Sequence, residues 1–111
     1  MKTSSKNDLK KYRDEVSKLI AERIFFFNQK YYFKYNNINI KNQKTRWGSC
    51  SKRGNLNFNY KLLFLPKEVR DYVIVHELCH LREFNHSKSF WNLVRVTIPD
   101  YIQVRNSLKL R

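Results

Sequence analysis

Two glycines, two prolines, two cysteines and one methionine are all that the 111 residues hold of those types. So little glycine and proline leaves no room for a flexible linker, and there is no internal repeat, so a single domain is expected. Cys50 and Cys79 stand far apart and form no C-x-x-C pair. They read as two reduced, largely buried thiols rather than a disulfide framework. No apolar run approaches the ~18 residues that suggest a membrane span. Met1 to Lys10 lacks the apolar stretch of a secretory signal. The chain is therefore expected in the cytoplasm, away from membranes. Acid is scarce as well: 9 Asp and Glu stand against 23 Lys and Arg, a net charge of +14. That charge attracts phosphate backbones, acidic proteins and anionic surfaces. A genome-wide lysine bias gives the same balance without any such partner.

Against these absences, hydrophobic residues make up 41% of the chain, enough for one modest core. Met1 to Asn7 reads as a flexible leader and residues 8–111 as one domain. From Asp8 the residues Leu9, Tyr12, Val16, Leu19, Ile20, Arg23 and Phe27 follow a helical period that ends near Asn28 to Lys30. Phe25, Phe26, Phe27, Tyr31, Tyr32, Phe33 and Tyr35 then alternate with lysines. Aromatics among lysines can stack on single-stranded nucleic acid, but the favoured reading is a core at the junction of helix and sheet.

Three short strands are expected next: Ile38 to Lys41, Thr45 to Ser51, and Leu56 to Tyr60, the last two joined by a turn at Lys52-Arg53-Gly54-Asn55. The last strand has one apolar face and one asparagine face. Pro66 suits the first turn of a helix, with Glu68 at its positive end. That helix is apolar nearly all round through Val73, Ile74, Val75, Leu78, Cys79 and Leu81, which places it inside the domain. Asn85 reads as its left-handed stop. Ser87 is the cap of a third helix carrying Phe90, Trp91 and Val94, and Pro99-Asp100 starts a last one through Tyr101, Val104 and Leu108.

The central helix carries H-E-x-x-H at His76, Glu77 and His80. Residues four apart share a helix face, so two imidazoles can meet one ion, and the intervening carboxylate can reach a water held on it. His86 follows six residues after His80, and all the histidines of the chain fall in this window. Three protein ligands with a fourth position open is the pattern of a catalytic zinc site. Zinc would acidify the water; Glu77 would take its proton during attack on a carbonyl and pass it to the leaving amine. Glu83, one turn beyond His80, is the main rival for the third ligand; otherwise it accepts a bond from a ligand histidine or pairs on the surface. The His80 to His86 step equals that of the metzincins, but those carry glycine where Glu83 stands. No methionine follows the site either, and both absences argue against that group.

The segments TRWGSCSKRGNLNFNYKLLFLP (Thr45 to Pro66), DYVIVHELCHLREFNHSKSFW (Asp71 to Trp91) and PDY (Pro99 to Tyr101) resemble the YgjP-like metallopeptidase family. That family is related to the SprT and Wss groups of DNA-linked proteases. The resemblance runs from about Asp8 to the end. It implies a compact α+β zincin-like domain: an N-terminal helix, a three-stranded antiparallel sheet, a buried active-site helix with H-E-x-x-H, and C-terminal helices. It implies one catalytic zinc on His76, His80 and His86, Glu77 as general base, and a protein or peptide substrate; the chain is expected to be a monomer. Members usually carry a further N-terminal domain ahead of this region, so the chain reads as a minimal or excised catalytic core. The alternative is a DNA-associated protease, or a nucleic-acid-binding zinc domain with little peptidase activity of its own. In a zincin an exposed strand edge accepts the peptide; Leu56 to Tyr60 is the expected edge. Arg46 could bind an acidic substrate group or polarise the carbonyl, but the favoured reading is that it pairs with a carboxylate and that Trp47 packs in the core. The sequence identifies no oxyanion stabiliser; Tyr60 and Tyr101 are candidates that no motif supports.

Overall fold

The computed structural model describes residues 6–109, with side chains from Lys10 onward. Most of the expected leader lies outside the described residues. The elements are α1 (Lys6–Tyr31), β1 (Ile38–Lys41), β2 (Gly48–Cys50), β3 (Leu56–Asn59), a 3-10 turn (Tyr60–Phe64), α2 (Lys67–Cys79), α3 (Lys88–Thr97) and α4 (Tyr101–Lys109). The class is α+β, as expected. No helix among the described residues is long and apolar enough to cross a membrane.

Along α1, Val16, Ile20, Ile24 and Phe27 form one buried stripe, the helical period in physical form. Arg23 on the same helix donates through Nε and Nη2 to both carboxylate oxygens of Asp71 on α2, each at 3.2 Å. Tyr32 ends the helix in the left-handed region at φ 57°, the only non-glycine to do so among the described residues. The Asn28 amide clasps the exit, donating to Phe33 O and accepting from Phe33 N, both at 2.8 Å. The aromatic stretch divides at this point. Phe27 and Phe33 are buried in the core, whereas Phe25, Phe26, Tyr32 and Tyr35 are exposed; within the helix, consecutive residues cannot all face inward. The core expectation therefore fails for those four.

The sheet has the order β1-β3-β2, with β3 antiparallel to β2 and parallel to β1. This corrects the expected antiparallel sheet and also the expected edge. Leu56 and Phe58 are fully buried, and β3, the most buried strand, takes the centre. The chain reverses once between β1 and β2 and once between β2 and β3, so β1 and β3 point the same way. Asn59 at the end of β3 holds the first reversal: its amide Nδ2 donates to Gln43 O at 2.7 Å and to Arg46 O at 3.0 Å. Its Oδ1 accepts from Lys61 N at 3.0 Å, capping the 3-10 turn. The rest of the asparagine face is an amide ladder. Asn39 donates to Asn57 at 3.1 Å, and Asn57 donates to Ser49 Oγ at 3.2 Å.

α2 runs through the middle of the domain with Val69, Tyr72, Val73, Ile74, Val75, Leu78 and Cys79 buried. It touches α1, the sheet, α3 and α4, which explains its apolar character on every side. It stops at Cys79 with His80 as its right-handed C-cap, six residues before the expected stop at Asn85. Ser87 caps α3 as expected, accepting from Phe90 N at 3.3 Å.

Candidate metal centre

α2 delivers His76, Glu77 and His80 to one end of the domain, and the chain beyond it brings His86 back beside them. After His80 the backbone tightens: Leu81 N donates to Leu78 O, and Arg82 N and Glu83 N both donate to Cys79 O. The early end of α2 permits this turn; a helix continuing to Asn85 would carry His86 away. The Nε2 atoms lie 3.3 Å apart for His76 and His80, 3.0 Å for His80 and His86, and 3.1 Å for His86 and His76.

Those separations carry information about what the cluster can hold. His80 Nδ1 sits 3.0 Å from Glu83 O, and a carbonyl can only accept, so the ring's single neutral N–H is on Nδ1 and Nε2 presents a lone pair. Whatever tautomers His76 and His86 take, at least one of the three Nε2 contacts opposes two lone pairs or two N–H groups. One cation facing three lone pairs removes the conflict. Two nitrogens on a tetrahedral zinc at roughly 2.0–2.1 Å are ~3.3 Å apart, close to the spacing of this trio, so the donor set fits a zinc ion. Glu83 contributes its backbone oxygen to His80; among the described residues the cluster of metal-ligating groups contains the three histidines alone.

Phe90 and Trp91 of α3 support the rings. Phe90 is fully buried and stacks on His80 with centroids 4.4 Å apart, and it meets His76 at 5.0 Å and His86 at 5.1 Å. Trp91 stacks on Tyr101 at 4.8 Å. Burial, and then the neighbouring His80 and His86, push His76 down to about 3, so it presents a neutral ring at ordinary pH. His80 is lowered too, chiefly by burial. The Tyr72 hydroxyl, one turn earlier on α2, lies 3.3 Å from His76 Nδ1.

Glu77 is 7% exposed. Burial pushes its carboxyl up to about 8, against the opposing pull of Arg46. Its neighbour is Gly48. A Cβ on Gly48 would stand 3.0 Å from Glu77 Cγ, 3.3 Å from Glu77 Oε2 and 3.1 Å from Asn57 O. The glycine of R-W-G-S-C is thus where the backbone of β2 comes up against the carboxylate. A glycine inside a short strand often marks such a close approach, a signal the sequence reading left unused.

These groups line a cleft of about 700 Å³ between β2 and α4. Arg46 lies exposed on its wall and makes no ion pair among the described residues, which corrects the expected pairing. Trp47 is half-buried against the core, as expected. Neither Tyr60 nor Tyr101 lines the cleft. Tyr72 and Arg105 do. Arg105 lies over the Trp91 ring at 5.0 Å, with its buried Nε unpartnered. Nothing in the sequence pattern singled out Arg105. Tyr72 could have been found from its i−4 relation to His76. Cys50 shares the cleft, its thiol raised to about 11 by burial and by Glu77.

The chain matches the family model described as YgjP-like, metallopeptidase domain, over residues 3–111. No curated protein matches it. Among solved structures it is similar to the metallopeptidase zymogen of Pyrococcus abyssi abylysin, with 22% identity and a TM-score of 0.72 over 80% of this chain and 90% of that one. It is also similar to the metallopeptidase zymogen of Methanocaldococcus jannaschii jannalysin, with 27% identity and a TM-score of 0.68 over 83% of this chain and 97% of that one. A match spanning nearly every residue, on a fold shared with two metallopeptidase zymogens, settles the relationship: the chain belongs to the YgjP-like metallopeptidase domain family.

Proposed function

We propose that residues 8–111 form a zinc-dependent peptidase domain in which His76, His80 and His86 hold one metal ion and Glu77 is the general base. The observation that carries this reading is the convergence of three Nε2 atoms within 3.0–3.3 Å of one another, next in the chain to a buried carboxylate. Three protein ligands, one short of a closed structural site, suit a catalytic metal. Zinc bound there would supply a Lewis acid for the scissile carbonyl and would acidify a water molecule.

The chain's own residues do the rest. Glu77 takes the proton of the attacking water and returns it to the departing amine. Its burial beside Gly48 strengthens its hold on that proton, and Arg46 moderates it. β2 pairs with β3 on one side only, so its free edge can align an extended peptide along the cleft by strand addition. His80 is oriented through Nδ1 by Glu83 O, and His76 by Tyr72, which leaves each Nε2 for the ion. The test is Glu77→Gln, which keeps side-chain shape and removes the base. The variant should retain one zinc per chain and lose cleavage of an unfolded protein substrate by about a hundredfold or more. Wild-type turnover by the zinc-loaded variant would refute the role.

A further inference from the structure

A second cleft adjoins the metal centre, and His80 and Phe84 line both. It has a volume of about 540 Å³. Four cations, Lys34, Lys52, Arg53 and Arg82, line it, and no carboxylate does. None of the four takes part in an ion pair among the described residues, where Arg23–Asp71 is the only one. Cations gathered on one concave wall without a counter-charge raise the local concentration of anions.

The backbone beneath them is fixed. The turn that carries Lys52 and Arg53 is closed by Gly54 N donating to Ser51 O at 3.0 Å and Asn55 N donating to Ser51 Oγ at 3.1 Å. Gly54, at φ 85°, turns its carbonyl to Asn36 N at 2.8 Å, and the Asn36 side chain donates to Arg53 O. Leu81 packs close to Gly54, which seats the turn on the end of α2. Aromatic faces hold two of the cations in place: Lys52 Nζ is 5.7 Å from the Phe84 ring centre and Arg82 Cζ is 5.1 Å from that of Phe33.

We propose that this cleft binds an acidic segment of a polypeptide and, resting on the peptidase reading, that the segment flanks the scissile bond. The argument is one of continuity. Gly48–Cys50 forms the free edge that lines the first cleft, and the next residues, Ser51 and Lys52, line the second. A peptide added along that edge advances about 3.3 Å per residue. Its side chains reach the four cations two to four residues from the bond opposite Glu77. The site thereby selects Asp and Glu at those positions.

The test has a binding arm and a cleavage arm, both on the full zinc-loaded chain. In the first, Glu77→Gln protein is titrated with a fluorescent peptide bearing three consecutive Asp residues and with its Asn counterpart, across a salt series, with inorganic phosphate and a single-stranded oligonucleotide as competitors. The Asp peptide should bind at least about fivefold tighter at low salt. The preference should vanish in Lys52→Glu/Arg53→Glu and weaken in Lys52→Gln/Arg53→Gln, with circular dichroism and zinc content confirming that both variants are folded. In the second arm, wild-type protein cleaves peptides with Asp or Asn at each position flanking the bond. The Asp-to-Asn ratio of kcat/KM should exceed one at two to four residues from the bond, and should fall below one in the charge-reversed variant. Equal binding of the two peptides, or a preference that survives charge reversal, overturns the proposal. So does displacement of the Asp peptide by sub-stoichiometric oligonucleotide, which identifies the cleft as a nucleic-acid site. Selective binding in the first arm with no cleavage of any peptide in the second supports the cleft and sinks the peptidase reading instead.

Discussion

Replacing Gly48 by alanine adds one methyl group at the point where β2 meets Glu77. The new Cβ stands 3.1 Å from Asn57 O and 3.0 Å from Glu77 Cγ, both inside ordinary carbon contact distances. The two neighbours differ in how far they can yield. Asn57 O belongs to the backbone of the central strand, which is paired on both sides. Glu77 is a side chain with rotamer freedom, so Glu77 moves. Overpacking of this kind costs about 1–3 kcal/mol, and a displacement of ~1 Å in a catalytic group costs about a hundredfold in rate. The three histidines do not touch Gly48, so metal binding should persist. The expected phenotype is a urea midpoint lowered by the equivalent of about 1–3 kcal/mol, one zinc per chain by elemental analysis, and kcat lowered about a hundredfold with KM little changed. Folded, zinc-loaded Gly48→Ala protein with wild-type kcat would refute the claim that Gly48 sets the position of Glu77 and that Glu77 acts as the proposed base.

Asn59→Ala removes three hydrogen bonds from a residue only 3% exposed. At about 1 kcal/mol each it should lower unfolding stability by about 2–3 kcal/mol and free the 42–47 reversal, read by urea denaturation and by proteolytic nicking of that loop. Stripping the metal with a chelator should abolish cleavage, with zinc restoring it, while far-UV circular dichroism stays helical. The core of α1, α2 and the sheet is packed without any metal contact, and complete unfolding would assign the ion a structural role instead. Both cysteines should resist iodoacetamide at pH 8. Cys79 is fully buried, and the raised thiols, about 11 for Cys50 and about 12 for Cys79, leave little thiolate. Labelling of Cys50 should rise only as pH climbs toward 11; rapid labelling near neutrality would contradict the raised thiol of this half-buried residue.

The elements whose sequence pattern reports their own burial were legible from the chain alone. The α1 stripe, the all-round apolar α2, the Ser87 cap and the turn at Gly54 each follow from local chemistry. The histidine trio was legible because its members lie within one short window of sequence. Misreadings arose where a distant residue decides the outcome. Strand order was one: periodicity says that Leu56 and Phe58 face inward, but not that β3 displaces β2 from the centre. The end of α2 was another, because the tertiary turn through Glu83 and Phe84 outweighed the local preference of Asn85 for a left-handed stop. Phe25 and Phe26 were assigned to the core on hydrophobicity, yet the stripe of Val16, Ile20, Ile24 and Phe27 leaves them facing outward.

The same distinction explains why the residues packed around the histidine cluster went unread while the cluster itself did not. His76, Glu77, His80 and His86 announce themselves by type. Gly48, Phe90 and Tyr72 act by position: the first by lacking a methyl group, the second by filling space under the rings, the third through one hydrogen bond. Each depends on an element remote in the chain or on the face α2 turns to the cleft. Asn59 acts at a further remove. It touches neither the histidines nor Glu77, yet by holding Gln43 and Arg46 it fixes the start of β2, and β2 carries Gly48 against Glu77. The position of Glu77 therefore depends on an asparagine one residue beyond Phe58, the partner of Gly48 on β3. Loosening that loop should reach the chemistry through Gly48 rather than through the metal.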